Sequence, residues 1–379
     1  MKKVLAAAAA TAMCCSMFSC GAKDESSQGS SNQKTIGLAM PAQELERWNN
    51  DGESLKSQFE KAGYKVDLRF SENDADKQNE DISSMLNDGV DLLLIAAVDG
   101  TTLSDTLAVA KEKNIPVVAY DRLIMNTDAL TYYVSFDNYT VGKLQGEYVR
   151  DQLHLLSTTS EYNIEFVAGD AGDNNARYFF NGAYDALKNY IDNGTLRILS
   201  GKNSFEQVAT ASWSTENAEK NMKEILASFY KGDNQLDVAL CANDSTALGV
   251  ANALASDYKG GNTPIITGQD GDVANLKNIV DGKQSMTVYK NVNDEAEVAF
   301  EVCKMLLDGG IPTSKLAGSF ENIKVVYDSE SYNNGVRYIQ SYLLVPYVIT
   351  KDNLQLLVDT GSYKWDSDNK YLESTASTT

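Results

Sequence analysis

From residue 34 onward the chain alternates short apolar runs with longer segments whose apolar residues recur every three or four positions. Short all-apolar runs suit strands buried on both faces, and a period of roughly 3.6 residues suits helices laid across them. The pattern therefore predicts βαβ units around a parallel sheet. Strands are expected at 35–40, 65–70, 90–97, 115–120 and 132–135, with helices at 44–62, 77–88 and 102–113 between them. The first helix carries Leu55, Phe59 and Ala62 on one face and ends at Gly63, a common helix stop. Residues 90–97 are apolar almost throughout, which marks a central strand.

Asn138 opens a second cycle. Helices at 138–152, 176–192, 215–230, 245–254 and 273–281 alternate with strands at 163–168, 196–200, 238–242, 264–267 and 286–289. A further helix at 294–307 and strands at 323–326 and 342–348 must join sheets that already exist. The expected fold class is α/β, with two Rossmann-like lobes built on parallel sheets and joined by a multi-strand hinge. The division this implies is 34–137 with about 290–312 in the first lobe, 138–289 with about 320–363 in the second, and a flexible tail at 364–379. A chain of 379 residues is long enough for two such cores.

The amino terminus has a different pattern. Lys2 and Lys3 precede an apolar run that ends by Ser19, too short to favour a spanning helix and typical of an export signal. Met17, Phe18, Ser19, Cys20 and Gly21 resemble a bacterial lipobox, which would make Cys20 a lipidated amino terminus; simple cleavage near Ser19 is the alternative. Residues 20–33 hold almost no apolar side chain and read as a disordered tether. The protein is thus expected outside the cytoplasm, in the periplasm or on the outer cell surface, touching the membrane only through its lipid.

Charge narrows the partners. The net charge is −20, and −22 once residues 1–19 are set aside, because they hold Lys2 and Lys3 and no acid. That balance argues against nucleic acid and anionic lipid. Cys14, Cys15 and Cys20 belong to the signal region, while Cys241 and Cys303 lie in apolar segments and read as small buried residues.

Open α/β sheets bind ligands beyond the carboxyl ends of their strands, so the polar residues that follow each apolar run are the candidates. They are Arg47 and Trp48, then Asp121 and Arg122, then Asp173, Asn174 and Asn175. Asn243, Asp244, Gln269, Asp270 and Lys290 complete the set. The run at 115–120 is the most telling, because it passes directly into an acid and a base with no turn residue between. Planar acceptors, amides and fixed guanidinium donors suit a polyhydroxylated ligand. Each residue also has a plainer role open to it: Trp48 as a helix-face aromatic, Asp121 and Arg122 as an ion pair, one of 173–175 and Asp244 as helix caps, Lys290 as surface.

Catalysis finds little support. His154 is the only histidine, so neither a Ser-His-Asp triad nor a histidine-rich metal site can be assembled. No glycine-rich phosphate loop follows the first strand. Asp74 and Asp76 echo a calcium loop, but Asn79 stands where that loop needs glycine. Asp270 and Asp272 could pair as an acid and a base, yet Asp272 serves equally as a cap. No cofactor and no metal are expected.

Six motifs together resemble periplasmic monosaccharide-binding proteins of ABC importers, in the ribose/galactose-binding class with the type I periplasmic binding fold. They are Glu46-Arg47-Trp48, the stretch from Ala119 to Ile124 with Asp121 and Arg122, and Ser135 to Asn138. Asp173 to Ala176, Gly268-Gln269-Asp270 and Thr287 to Lys290 follow in the same order. The likeness is strongest to xylose-binding and multiple-sugar-binding members and covers about residues 34–363. It implies a monosaccharide such as xylose, glucose or galactose, delivered to the membrane subunits of an ABC permease. Some relatives instead signal through a chemoreceptor or sensor kinase; a sugar-active enzyme is a further alternative.

The resemblance also implies roles. Arg47, Asp121 and Arg122 would bind hydroxyls from the first lobe with Trp48 against the ring, and Asp173 and Asn175 would bind from the second, with Asp270 and Lys290 completing the set. Asn243 and Asp244 would contribute where relatives differ, and either Phe205 or Trp213 would stack on the ring.

Overall fold

The computed structural model describes residues 33–375. The expected signal peptide, Cys20 and all of the tether but Gln33 lie outside the described residues, as do 376–379.

The first lobe is built from β1 (Thr35–Met40), α1 (Glu46–Lys61), β2 (Lys65–Phe70), α2 (Ala75–Asp88), β3 (Leu92–Ile95), α3 (Ser104–Glu112), β4 (Val117–Tyr120) and β5 (Leu130–Phe136). The second begins with α4 (Asn138–Gln152), β6 (Tyr162–Val167), α5 (Asn174–Asp192), β7 (Leu196–Arg197) and the short α6 (Phe205–Val208). It continues through α7 (Thr215–Phe229), β8 (Val238–Cys241), α8 (Asp244–Asp257), β9 (Ile265–Ile266), α9 (Val273–Val280) and β10 (Thr287–Tyr289). After it come α10 (Val292–Leu307), α11 (Ser314–Ala317), β11 (Val325–Asp328), β12 (Ser341–Leu344), β13 (Tyr347–Ile349), α12 (Gln355–Asp359), β14 (Tyr363–Trp365) and β15 (Leu372–Ser374).

Seven strands form the first sheet in the order β11-β12-β5-β4-β3-β1-β2, parallel except for β11. Every residue of β3 and β4 is buried, as their unbroken apolar runs require. Alternation along β1 sends Ile36, Leu38 and Met40 to one face, where Leu55 and Phe59 of α1 and Val298 and Val302 of α10 cover them. Ala39 faces the other layer, against Ile82 and Met85 of α2. The second sheet runs β7-β6-β8-β9, and a parallel bridge from Gln269 to Val288 continues it into β10, which pairs antiparallel with β13.

Glycines set one contact that matters for the site. A Cβ on Gly142 of α4 would stand 1.8 Å from the Phe179 carbonyl oxygen of α5, and one on Gly182 would stand 2.1 Å from that of Tyr139. The two helices therefore meet backbone to backbone, and this fixes the amino end of α5 beside the lobe crossing that precedes α4.

Two expectations about the chain after 312 need correction. The strand expected at 342–348 is two strands, with β12 in the first sheet and β13 in the second. Tyr342 and Leu343 pair with Val134 and Ser135 of β5, whose edge is otherwise open, so β11 and β12 belong to the first lobe rather than the second. Of the flexible tail expected at 364–379, residues 364–375 are described, and they are ordered. There β14 and β15 form a hairpin that buries Leu372 against Leu276 and Ile279 of α9.

Among the described residues the chain crosses between lobes three times: from β5 to α4, from β10 to α10, and from β12 to β13 through Val345 and Pro346. Parallel crossings of this kind permit bending at a few residues while each sheet stays intact.

Candidate ligand-binding cleft

The carboxyl ends of both sheets face one cleft. From the first lobe it is lined by Leu45, Arg47, Trp48, Asp121 and Arg122; from the second by Asp173, Phe179, Trp213, Asn243, Ser245, Gln269, Asp270 and Asp272. Lys290, at the second crossing, completes the lining.

Asp121 is the centre. It follows β4 with φ 56°, and Arg122 N donates to Tyr120 O at 2.5 Å, so the chain makes a tight turn at the strand end. A left-handed aspartate costs on the order of 1–3 kcal/mol unless its surroundings hold it. Here three side chains donate to its carbonyl oxygen: Tyr133 OH at 2.6 Å, Ser135 Oγ at 2.8 Å and Asn175 Nδ2 at 2.5 Å. Its carboxylate takes Arg47 Nη2 at 2.5 Å and Lys290 Nζ at 3.3 Å. Burial would raise this carboxyl, but Arg47 and Lys290 hold it well below the ordinary value.

Arg47 lies one helical turn from Asp51 on α1 and donates Nε to it at 3.1 Å. Its Nη2 also donates to Glu295 Oε2 of α10 at 2.9 Å, and Nη1 lies 3.6 Å from Asp270 Oδ1. Burial pushes the Asp51 carboxyl up to about 6 despite Arg47, and burial with Asp121 nearby pushes Glu295 well above its ordinary value. Lys290 Nζ sits 3.4 Å from Asp270 Oδ1 and under 6 Å from the rings of Phe136 and Phe179. Arg122 donates to Ala97 O at 3.0 Å and pairs across the cleft with Asp173 Oδ2 at 3.0 Å. Both Arg47 and Arg122 lie over the Trp48 ring, at 4.8 and 5.0 Å.

Of the two candidate aromatics, Trp213 is the one that lines the cleft. Its ring occupies the space in which a Cβ on Gly169 would stand, 2.0 Å from the indole, and it lines the cavity. Phe205 lies in the second-lobe core beneath Arg177, whose guanidinium carbon is 4.4 Å from its ring, and does not reach the cleft. Two further expected contacts also lie elsewhere. Asp244 is fully buried behind the cleft and accepts from Gly271 N at 3.0 Å, Asp272 N at 2.9 Å, Gln284 Nε2 at 2.8 Å and Thr287 Oγ1 at 3.1 Å. Asn175 spends its side chain between Asp121 O and Tyr133 OH, a bridge between lobes rather than part of the lining.

Helix caps explain several positions. Asp173 caps α5 through Asn175 N at 2.9 Å while its other oxygen faces Arg122. Asn243, not Asp244, caps α8, accepting from Thr246 N at 3.0 Å. Phe179, Asp51 and Glu295 escaped the strand-end rule because all three sit on helices. Phe179 is one turn beyond Asn175 and Asp51 one turn beyond Arg47, and that spacing could have found them.

Two buried polar atoms of the lining, Trp213 Nε1 and Gln269 Oε1, make no hydrogen bond within the protein, whereas Arg122 Nε is engaged by Asp173 and Asp270 Oδ1 by Lys290 and Arg47. One free donor and one free acceptor at the same cleft match the mixed donor and acceptor character of a hydroxylated molecule. Among the described residues no group of three or more His, Cys, Asp or Glu is arranged to hold a metal.

Two parallel-sheet lobes, three crossings and a polar cleft between strand ends define a bilobal ligand-binding protein of the type I periplasmic class. A profile described as "Periplasmic binding protein domain" matches residues 36–311, and the chain belongs to that family. It is 36% identical over 370 residues to the multiple sugar-binding periplasmic receptor ChvE of Rhizobium radiobacter, covering 97% of this chain and 99% of that one. It is 32% identical to the D-xylose-binding periplasmic protein of Escherichia coli strain K12, covering 84% and 88%. A solved ABC transporter solute-binding protein from Clostridium phytofermentans with bound β-D-glucose shares 46% identity and superposes with a TM-score of 0.83, covering 89% of this chain and 99% of that one.

Proposed function

We propose that this protein is an extracytoplasmic receptor that closes its two lobes on a monosaccharide, an aldose such as glucose, xylose or galactose, and presents it to an ABC permease. The observation that carries this reading is the lining itself, in which carboxylates from both lobes and guanidiniums from the first meet around two tryptophans in one cleft. Arg47, Asp121 and Arg122 hold ring hydroxyls from one side, and Asp173, Asn243 and Asp270 from the other. Lys290 joins the two carboxylate groups, while Trp48 and Trp213 supply apolar faces for the C–H surface of the ring. The names of the relatives, sugar receptors and solute-binding proteins, support binding rather than turnover. Anchoring through a lipid on Cys20, and a sensor kinase or chemoreceptor as a second reader of the closed form, belong to the same proposal.

Because ligand that binds only the folded state stabilises it by about 4 kcal/mol at a thousandfold excess over Kd, thermal shift against a panel of pentoses, hexoses and sugar acids tests the reading. A rise in Tm with at least one aldose is expected. No rise with any monosaccharide would remove the proposal.

A further inference from the structure

The loop that carries Asp270 is held from outside the cleft, and part of the hold comes from the end of the chain. Asp270 itself has φ 101°, a backbone conformation that needs support. On one side the Asp244 carboxylate accepts the next two amides, Gly271 N and Asp272 N. On the other, Tyr363 OH of β14 donates to Gly271 O at 2.7 Å. The Tyr363 ring packs edge-on against Tyr289, 5.9 Å between centroids, in the residue just before Lys290. Ser362 Oγ accepts from Asn293 Nδ2 of α10 at 3.1 Å. The hairpin of β14 and β15 therefore touches both the Asp270 loop and the second lobe crossing, yet it lies beyond the span that the family profile matches.

We propose that this carboxy-terminal hairpin is a buttress of the binding site, with Tyr363 as a positioning residue that sets Asp270 through the Gly271 peptide. The proposal rests on the sugar-binding reading and adds to it. Without the Tyr363 hydroxyl the Gly271 peptide is held only through its N–H, so the Asp270 carboxylate samples orientations that miss the sugar. The hairpin acts through Asp270 and makes no contact with the ligand.

The test is a double-mutant cycle on the full chain with the best-binding sugar from the panel, measured by titration calorimetry with Tm recorded for each variant. Asp270→Asn is expected to weaken binding strongly. Tyr363→Phe, which keeps the ring and its packing, is expected to weaken binding about 3- to 10-fold, the range for losing one neutral hydrogen bond. In the Asp270→Asn background the same change is expected to have no further effect on affinity, because the group it positions is gone. An equal loss in both backgrounds would show a general structural role, and unchanged affinity of Tyr363→Phe would show no role; either overturns the buttress. If Asp270→Asn itself binds as wild type does, the site assignment fails instead, and the buttress falls with it.

Discussion

Lys290→Met removes the cation shared by carboxylates of both lobes. Nζ stands 3.3 Å from Asp121 and 3.4 Å from Asp270, and only 2% of the side chain is exposed. Five carboxylates, Asp51, Asp121, Asp173, Asp270 and Glu295, here meet three cations, Arg47, Arg122 and Lys290, so the change turns an excess of two negative charges into three. Breaking a buried ion pair costs about 3–5 kcal/mol; because Arg47 still contacts Asp121 and Asp270, about 2–3 kcal/mol is expected here. For a chain of this size that is about 3–4 °C in Tm.

The sign of the pH dependence follows from Asp51, pushed up to about 6, and Glu295, held well above its ordinary value, in both cases by burial. A carboxyl with a raised folded pKa stabilises the fold below its unfolded value of roughly 4 and loses that contribution as pH rises through the folded value. Removing Lys290 raises both further. The Tm deficit should therefore be largest near about pH 8 and shrink toward about pH 5 as the carboxyls take up protons. Differential scanning fluorimetry of both proteins across that range reads it directly. A deficit that is absent, or that grows on acidification, would refute the account of the cluster.

Gly169→Val drives a side chain into the Trp213 ring and should abolish sugar binding, read by calorimetry, while circular dichroism shows the fold retained. Phe205→Leu should lower Tm by about 1–2 °C, at about 1 kcal/mol, and leave Kd unchanged, because that ring lies in the core and not in the cleft. Gly182→Ala puts a methyl 2.1 Å from the Tyr139 carbonyl oxygen and should destabilise the α4–α5 contact by about 2 kcal/mol or more in urea unfolding.

What could be read in advance followed from how local each signal was. Apolar runs exposed β1, β3, β4 and β8 because those strands are buried on both faces, and the residues just past them, Asp121 and Arg122 above all, did reach the cleft. The partition of β12 and β13 could not be read from their apolar run, since Val345 and Pro346 carry no mark of which sheet each side joins. Asp244 and Asn175 were legible as polar residues near strand ends, but whether such a side chain faces a ligand or a neighbouring backbone depends on the loop geometry. Asp244 was captured by the amides of 271 and 272, and Asn175 by the carbonyl of Asp121. Glu295 lies far along the chain from Arg47, and only the return of α10 to the first sheet brings them together.

The central claim is that residues from both lobes hold one monosaccharide in the cleft. Titration calorimetry of D-glucose and D-xylose into the wild type, Asp121→Ala of the first lobe and Asp270→Ala of the second tests it most directly. The account predicts that at least one sugar binds the wild type with one-to-one stoichiometry, and that each variant, still folded, loses at least about tenfold in affinity, the scale for a lost charged hydrogen bond. Binding that survives undiminished in either variant, or a folded wild type that takes up neither these two sugars nor any other monosaccharide of the panel, would contradict it.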